Sequence, residues 1–473
     1  MMRGSIRAGK RRPQLQLPTG AGKTVIAAHM VQGAREKRNR VAFTAPLLSL
    51  IDQTVDKFVE NGIDPADIGV MQGDHPLHRP HAPIQVCSIQ TIESRGFPEV
   101  DFVIVDESHL QFRAIHRWMA ENPNKIFVGL SATPWARGMS DHWDDLLIPA
   151  TIKEMIACGD LCSFRAFAPT KPDLSGVKLV AGDYHEGQLS EVMSRASITA
   201  DVVRTWLDVA DGRRTMLFAV DRAHAGKLAD QFREMGVASA YVDAFTSREE
   251  RAAIRELFHR DEIKVVCSIG TMTHGVDWDV RCVSFCRPTR SEILLVQCIG
   301  RGLRPAPGKD LLILDHSNAT LELGLVTDIH FDALRSGAVD RGEQKAKAKQ
   351  PKPRECPKCG EIVAPTVREC RCGHVFKYVS RVRTLDGDLE EIGAGRRAEI
   401  IEALTYAQRE QFYRELLGYA EIRVWKPGWA YHKYKERFGV GPANGMDREP
   451  LEQSRKTLSW IKSRQIAYAK AME

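Results

Sequence analysis

The sequence predicts two successive α/β domains with parallel sheets, then a small cysteine module and a mainly helical, basic tail. Three observations carry that expectation. Short apolar runs alternate with longer amphipathic stretches along the first two thirds of the chain. At 473 residues the chain exceeds what one hydrophobic core normally reaches. Beyond a polar, Lys-rich stretch, four cysteines fall close together at Cys356, Cys359, Cys370 and Cys372.

The apolar runs VAFTAPL (41–47), FVIVDES (102–108), IFVGLSAT (126–133), TMLFAV (215–220), KVVCSIGT (264–271) and LLILDH (311–316) read as strands buried on both faces. Segments 49–62 and 248–260 place apolar residues at helical spacing, so the order is strand, helix, strand. The rhythm breaks between about residues 140 and 200, where prolines and glycines intervene. The expected boundaries are 1–160 for the first α/β domain and 161–335 for the second. A polar linker follows at 336–355, a metal module at 356–378 and a basic, aromatic domain at 379–473.

Hydrophobic content is 43% and charged content 27%, and no apolar run approaches the length of a membrane helix. The N-terminus carries Arg3, Arg7 and Lys10 without the apolar block of a secretory signal, so a cytoplasmic location with reduced thiols is expected. Seven scattered cysteines, Cys87, Cys158, Cys162, Cys267, Cys282, Cys286 and Cys298, read as small buried hydrophobes. The net charge is +6, yet residues 341–473 hold 27 Lys/Arg against 18 Asp/Glu. That excess suits a polyanionic partner at the tail, or simply a solvated basic face.

The chemistry concentrates in a few segments. In QLPTGAGKTVIAA a strand end meets a Gly-rich turn and then a helix. Backbone N–H groups of Thr19, Gly20, Ala21 and Gly22 can approach phosphates there, Lys23 can reach the β and γ oxygens, and Thr24 can offer its hydroxyl to Mg²⁺. Leu17 stands where the general phosphate-loop pattern has its first glycine. In VIVDESH, Asp106 can hold the same metal ion and Glu107 can orient and deprotonate a water. Ser131, Ala132 and Thr133 end the next strand, where hydroxyls can sense the metal site. Arg301 and Arg304, three apart on an expected helix face, can reach a nucleotide bound to the first domain.

LPTGAGKT, TAPLLSLIDQT, DESH, SATP, THGVD and QCIGRGLR stand in the order of the superfamily-two DEAD/DEAH-type helicase motifs. The chain resembles that superfamily over roughly residues 10–320. DESH, GRGLR, APGKDLLILDH and the following cysteines resemble its type III restriction and RadD-like branch, and the tail resembles those of phage-associated members. The resemblance implies tandem RecA-like domains binding Mg²⁺ and ATP in the cleft between them. It assigns Lys23 and Thr24 to the first motif, Asp106 and Glu107 to the second and Ser131 to Thr133 to the third. Gly275 and Asp277 fall to the fifth, and Gln297, Arg301 and Arg304 to the sixth. It also implies nucleic-acid contacts at Pro46, Gln90, Thr91 and Thr273. Relatives carry an upstream Arg and Gln that clamp adenine, whereas sixteen residues precede Leu17 here. An R-x-x-Q segment is expected in an upstream extension of the reading frame.

Cys356 and Cys359 form CPKCG, and Cys370 and Cys372 follow in ECRCGH, a donor set for one zinc ion in which His374 could replace a thiolate. The tail interleaves aromatics with Lys and Arg in WKPGWAYHKYKERFG (425–439). That pattern suits base stacking beside phosphates, and equally a helical subdomain whose aromatics are core. The expected partner is nucleic acid, DNA rather than RNA, with no membrane. The expected activity is ATP-driven movement on DNA. RNA remodelling, or a zinc-dependent scaffold switched by nucleotide, are the alternatives.

Overall fold

The computed structural model describes residues 1–169, 171–270, 278–337, 351–376, 405–426 and 428–471. In the first sheet, strands β1 (Pro13–Gln16), β2 (Val41–Ala45), β3 (Ile68–Met71), β4 (Ile84–Ser88), β5 (Phe102–Asp106), β6 (Ile126–Ser131) and β7 (Asp145–Leu147) lie in the order β3-β4-β2-β5-β6-β1-β7. Every pairing is parallel. The apolar runs supply the central strands because both faces are covered. Ala27, Ala28 and Val31 of the helix Lys23–Arg35 pack on one side, and Trp118 and Met119 of the helix Arg113–Glu121 on the other. Four strands lack a long apolar run, namely β1, β3, β4 and β7.

The chain crosses to the second sheet after β7. Thr151 and Glu154 form a capping box that starts the helix Ile152–Cys158, whose Ile152, Met155 and Ile156 pack against the second core. The second sheet opens with β8 (Phe164–Phe167). A two-stranded ribbon of β9 (Leu179–Val180) and β10 (Asp183–Tyr184) follows. Strands β11 (Thr215–Phe218), β12 (Ser239–Val242), β13 (Val265–Ser268), β14 (Cys282–Phe285) and β15 (Leu311–Asp315) complete it in the order β12-β13-β11-β14-β15-β8. These pairings are parallel too. Six of the seven scattered cysteines are buried, and Cys158 is exposed.

Beyond it, β16 (Arg354–Glu355) pairs with β17 (Ile362–Val363) to frame the four clustered cysteines. This module leans on β8, where Phe167 bridges Glu361 and Lys171 pairs with Glu355 at 2.9 Å.

The chain forms two compact units, Met1–Tyr378 and Val379–Glu473. Within the second unit, the helices Tyr406–Ile422, Gly428–Phe438 and Arg455–Ala471 enclose Phe412, Tyr413, Leu416, Tyr434 and Ile461. Buried Glu415 accepts from Gln411, Ser454 and Thr457, so its charge is solvated by protein donors. No described helix is long and apolar enough to cross a membrane.

Candidate nucleotide site between the two sheets

The site assembles at the C-terminal ends of the first sheet's strands. After β1 the chain turns through Gly20 (φ 91°) and Gly22 (φ 75°), left-handed positions that favour glycine. Lys23 then opens its helix with the side chain returned over the strand ends. It meets Glu107, Nζ to Oε1 2.8 Å. Thr19 is buried, Ala21 donates to the Pro18 carbonyl at 3.0 Å, and Thr24 lies in the first helical turn.

Asp106 is the last residue of β5, and Glu107 follows with φ 46°, a strained setting for a residue with a Cβ. Burial raises the Asp106 carboxyl to about 6, against the opposing pull of Lys23. Its Oδ1 is buried and has no hydrogen-bond partner among the described residues. A buried carboxylate oxygen with no protein donor among the described residues fits a hard divalent cation.

The second sheet completes the site. Gln297, on the helix Glu292–Gly300, donates from Nε2 to His109 Nε2 (2.9 Å) and to Thr133 Oγ1 (3.1 Å). His109 Nδ1 lies 2.9 Å from Ser131 Oγ and 3.4 Å from Glu107 Oε2, and the Thr133 amide donates to Ser131 Oγ at 3.0 Å. Ala132, between them, is buried. Both expected coupling hydroxyls therefore share one buried relay with the second domain.

Arg301 is fully buried, and burial first, then neighbouring Arg304, lowers its guanidinium to about 10, while Glu107 and Asp106 pull the other way. The spacing of Arg301 and Arg304 implies one shared helix face, which the structure contradicts. Arg301 and Arg304 do not share a helix face, because the helix ends at Gly300 with Arg301 as its C-cap, and Arg304 lies in the turns before Pro305. Gly302 and Pro305 favour that exit. The stem of Arg304 crosses Gly20 so closely that a Cβ there would stand 2.9 Å from Arg304 Cγ, and a Cβ on Gly300 would stand 2.9 Å from that of Thr19.

Sequence reasoning missed several supporting residues. Ser108 donates to Gln14 Oε1 at 2.8 Å and Trp135 to Gln16 Oε1 at 3.1 Å, which satisfies two buried glutamines of β1. Trp135 itself packs in the core of the second sheet. The local signal was weak, since PQLQ looks like a loop.

Of the expected nucleic-acid residues, Gln90 donates to the Pro46 carbonyl at 3.0 Å, and Thr91 follows Ser88, the N-cap of the helix Ile89–Arg95. Gln90 and Thr91 line a cavity of about 400 Å³ with Leu48, His75 and Ser94. Thr273, Gly275 and Asp277 lie outside the described residues.

The four cysteine Sγ atoms lie within 4.8 Å of one another, with Cys356 to Cys372 at 3.6 Å and Cys359 to Cys370 at 3.7 Å. Four thiolates at about 2.3 Å from a tetrahedral zinc stand roughly 3.8 Å apart, so the set fits that ion. His374 is not part of the cluster, and its ring stands edge-on to Phe376. In the tail, Tyr413 and Tyr434 are core, while Trp425 and Tyr431 reach the surface.

Comparison with known proteins agrees with this geometry. Residues 2–136 match the family described as Type III restriction enzyme, res subunit, and residues 198–306 the family described as Helicase conserved C-terminal domain. A 51.5 kDa protein of Lactococcus phage (isolate 7-9) is 26% identical over 395 residues, 80% of this chain and 82% of that protein. IRC3 of Saccharomyces cerevisiae, named by inference as an ATP-dependent helicase, is 30% identical over 364 residues. That match covers 71% of this chain and 52% of the yeast protein, so the chain spans about half of that relative. A fragment of a type I restriction enzyme HsdR subunit from Vibrio vulnificus YJ016, also named by inference, superposes with a TM-score of 0.53 at 20% identity. It covers 67% of this chain and 62% of that one, and it shows the two sheets to be tandem RecA-like domains. The two matched segments coincide with the two RecA-like domains, and together with these relatives they show the chain to be similar to ATP-hydrolysing superfamily-two helicases of the type III restriction-like branch.

Proposed function

We propose that this chain couples Mg²⁺-ATP hydrolysis to translocation along DNA, with the nucleotide held between the two RecA-like domains. The observation that carries the reading is the convergence of Lys23, Asp106 and Glu107 from one sheet with Gln297, Arg301 and Arg304 from the other. Backbone amides of Thr19 to Gly22 cradle the phosphate chain, and Lys23 neutralises its outer oxygens. The Thr24 hydroxyl and the Asp106 carboxylate would hold Mg²⁺, which supplies charge neutralisation at the phosphates. Glu107 orients the attacking water and takes its proton, and Arg301 and Arg304 offset the charge that develops on the transferred group.

Lys23 and Glu107 are paired at 2.8 Å. An arriving γ-phosphate draws Lys23 away and leaves Glu107 able to face water, so the base is released by the substrate it acts on. Closure of the cleft on nucleotide and its reopening after hydrolysis would shift the second domain along a strand contacted at Pro46, Gln90, Thr91 and Thr273. The four cysteines would hold one zinc ion as a structural clip.

The test is an ATPase panel with single-stranded DNA, duplex DNA and RNA, run beside Glu107→Gln. DNA should stimulate turnover most, and the variant should retain ATP binding while losing roughly two or more orders of magnitude in kcat, the scale expected for a positioned general base. Preferential stimulation by RNA would redirect the reading to RNA remodelling. Slow turnover with every nucleic acid, unaltered by Glu107→Gln, would refute the motor in favour of a nucleotide-switched scaffold.

A further inference from the structure

Each sheet ends on one side in a strand whose outer edge is unpaired among the described residues, β3 in the first and β12 in the second. The segments that follow these two strands are linked through Asp52 of the helix Ser49–Glu60. His75, just beyond β3, pairs with Asp52 at 2.9 Å, and Asp52 pairs across the domains with Arg248 at 3.0 Å. His75 also lines the cavity that holds Gln90 and Thr91. The turn after β12 therefore borders the expected strand path of the first domain.

That turn is built around Asp243, which is 3% exposed. Its carboxylate accepts from the amides of Phe245 (2.9 Å) and Thr246 (3.0 Å) and from the Tyr241 hydroxyl (2.7 Å). Arg222 pairs with it at 2.8 Å, and Arg251 donates to its carbonyl at 2.9 Å. So many contacts fix the turn before any ligand arrives. At its tip stands Phe245, 79% exposed, with the Arg222 guanidinium 4.8 Å from the ring centroid. An aromatic ring held in water on a rigid turn loses the burial that would ordinarily place it in a core.

We propose that Phe245, backed by Arg222, is a base-stacking platform for a single strand passing from the Gln90 and Thr91 cavity onto the second domain. Arg248 exchanges Asp52 for a backbone phosphate as the strand arrives. The inference rests on the nucleic-acid motor reading above. An exposed ring backed by the Arg222 guanidinium, with Arg248 three residues on, matches an unpaired base beside a phosphate, whereas a duplex keeps its bases stacked on each other. Glu249 and Glu250 lie on the first helical turn just beyond Arg248. Arg248 is 82% exposed at the domain boundary, so its exchange of partners needs no refolding.

The experiment measures binding of a fluorescent single-stranded oligonucleotide and of the matching duplex to the full chain, together with ATPase with and without nucleic acid. Phe245→Ala should weaken single-strand binding roughly five- to 150-fold, as loss of one stacked base does. Duplex binding and nucleic-acid-free turnover should stay unchanged. Phe245→Trp should restore the single-strand affinity, and an oligonucleotide carrying 2-aminopurine should show stacking-dependent quenching that Phe245→Ala removes. A Phe245→Ala protein that binds and responds to single strands like the parent overturns the platform and leaves the motor reading standing. A parent protein that neither binds nor responds to any nucleic acid overturns both.

Discussion

Gln297→Ala should cut the buried relay that joins the two domains, and the structure sets the size of the effect. The Gln297 amide nitrogen donates to His109 Nε2 at 2.9 Å and to Thr133 Oγ1 at 3.1 Å. Because Nε2 accepts, the His109 proton resides on Nδ1, which faces Ser131 Oγ and Glu107 Oε2. One glutamine thus fixes the tautomer of a histidine touching the proposed general base. Leaving a buried acceptor without its donor costs about 1–3 kcal/mol, which corresponds to roughly five- to 150-fold in rate if the relay is formed in the transition state. The assay is steady-state ATPase at saturating nucleic acid for the parent, Gln297→Ala, His109→Ala and the double variant. We expect kcat to fall far more than KM rises, and the cycle to show a coupling of about 1 kcal/mol. Effects that add to within about 0.3 kcal/mol would refute the relay.

Two further outcomes concern stability. His224 is buried and neutral, its Nδ1 accepting from the Val220 amide at 3.3 Å, and burial lowers it from 6.5 to about 4. Between those values the unfolded chain binds the proton and the folded one does not, so stability is complete above about 6.5 and is lost as pH falls towards 4, by up to about 3 kcal/mol from this group. Chemical denaturation of the parent and of His224→Gln across that window should show the variant with the shallower slope, and equal slopes would count against it. Metal analysis should find about one zinc per chain, lost in Cys356→Ser with a drop in the thermal midpoint; zinc-free parent protein would remove the assignment.

Strands with unbroken apolar runs were legible because burial on both faces leaves a purely local mark. Those hidden from the sequence contain polar residues whose partners are distant or irregular. Gln85 in β4 donates to the carbonyls of Arg79 and Ala82, which lets a glutamine sit in a buried strand. In β1 the two glutamines find Ser108 and Trp135, 94 and 119 residues away. No periodicity reports such pairings. The phosphate loop and the acidic pair were legible for the opposite reason, since each needs a particular residue at a particular backbone turn. Arg301 and Arg304 were legible as charges but not in their setting, because Gly302 and Pro305 end the helix that spacing alone would continue. Phe245 gave no signal at all, since an exposed aromatic and a core one look alike in a sequence.

The two domains meet where side chains are smallest, and this bears on how the cleft responds to nucleotide. Gly20 lies under the stem of Arg304 and Gly300 against Thr19, at distances no Cβ would tolerate. The phosphate loop is thereby in direct register with the segment that carries Arg301. Around it, Lys23 and Arg301 face Asp106 and Glu107, two cations with two anions in a buried setting. Burial leaves the charges of this cluster only partly compensated, and under the proposed function a triphosphate would enter by exchanging partners. It would take Lys23 from Glu107 and compete with both acids for Arg301. Every exchange on the first domain then has a counterpart on the second, through Arg301 directly and through His109 to Gln297. Under the proposed function, binding at the phosphates would in this way produce a change at the domain boundary, where Asp52 pairs with Arg248.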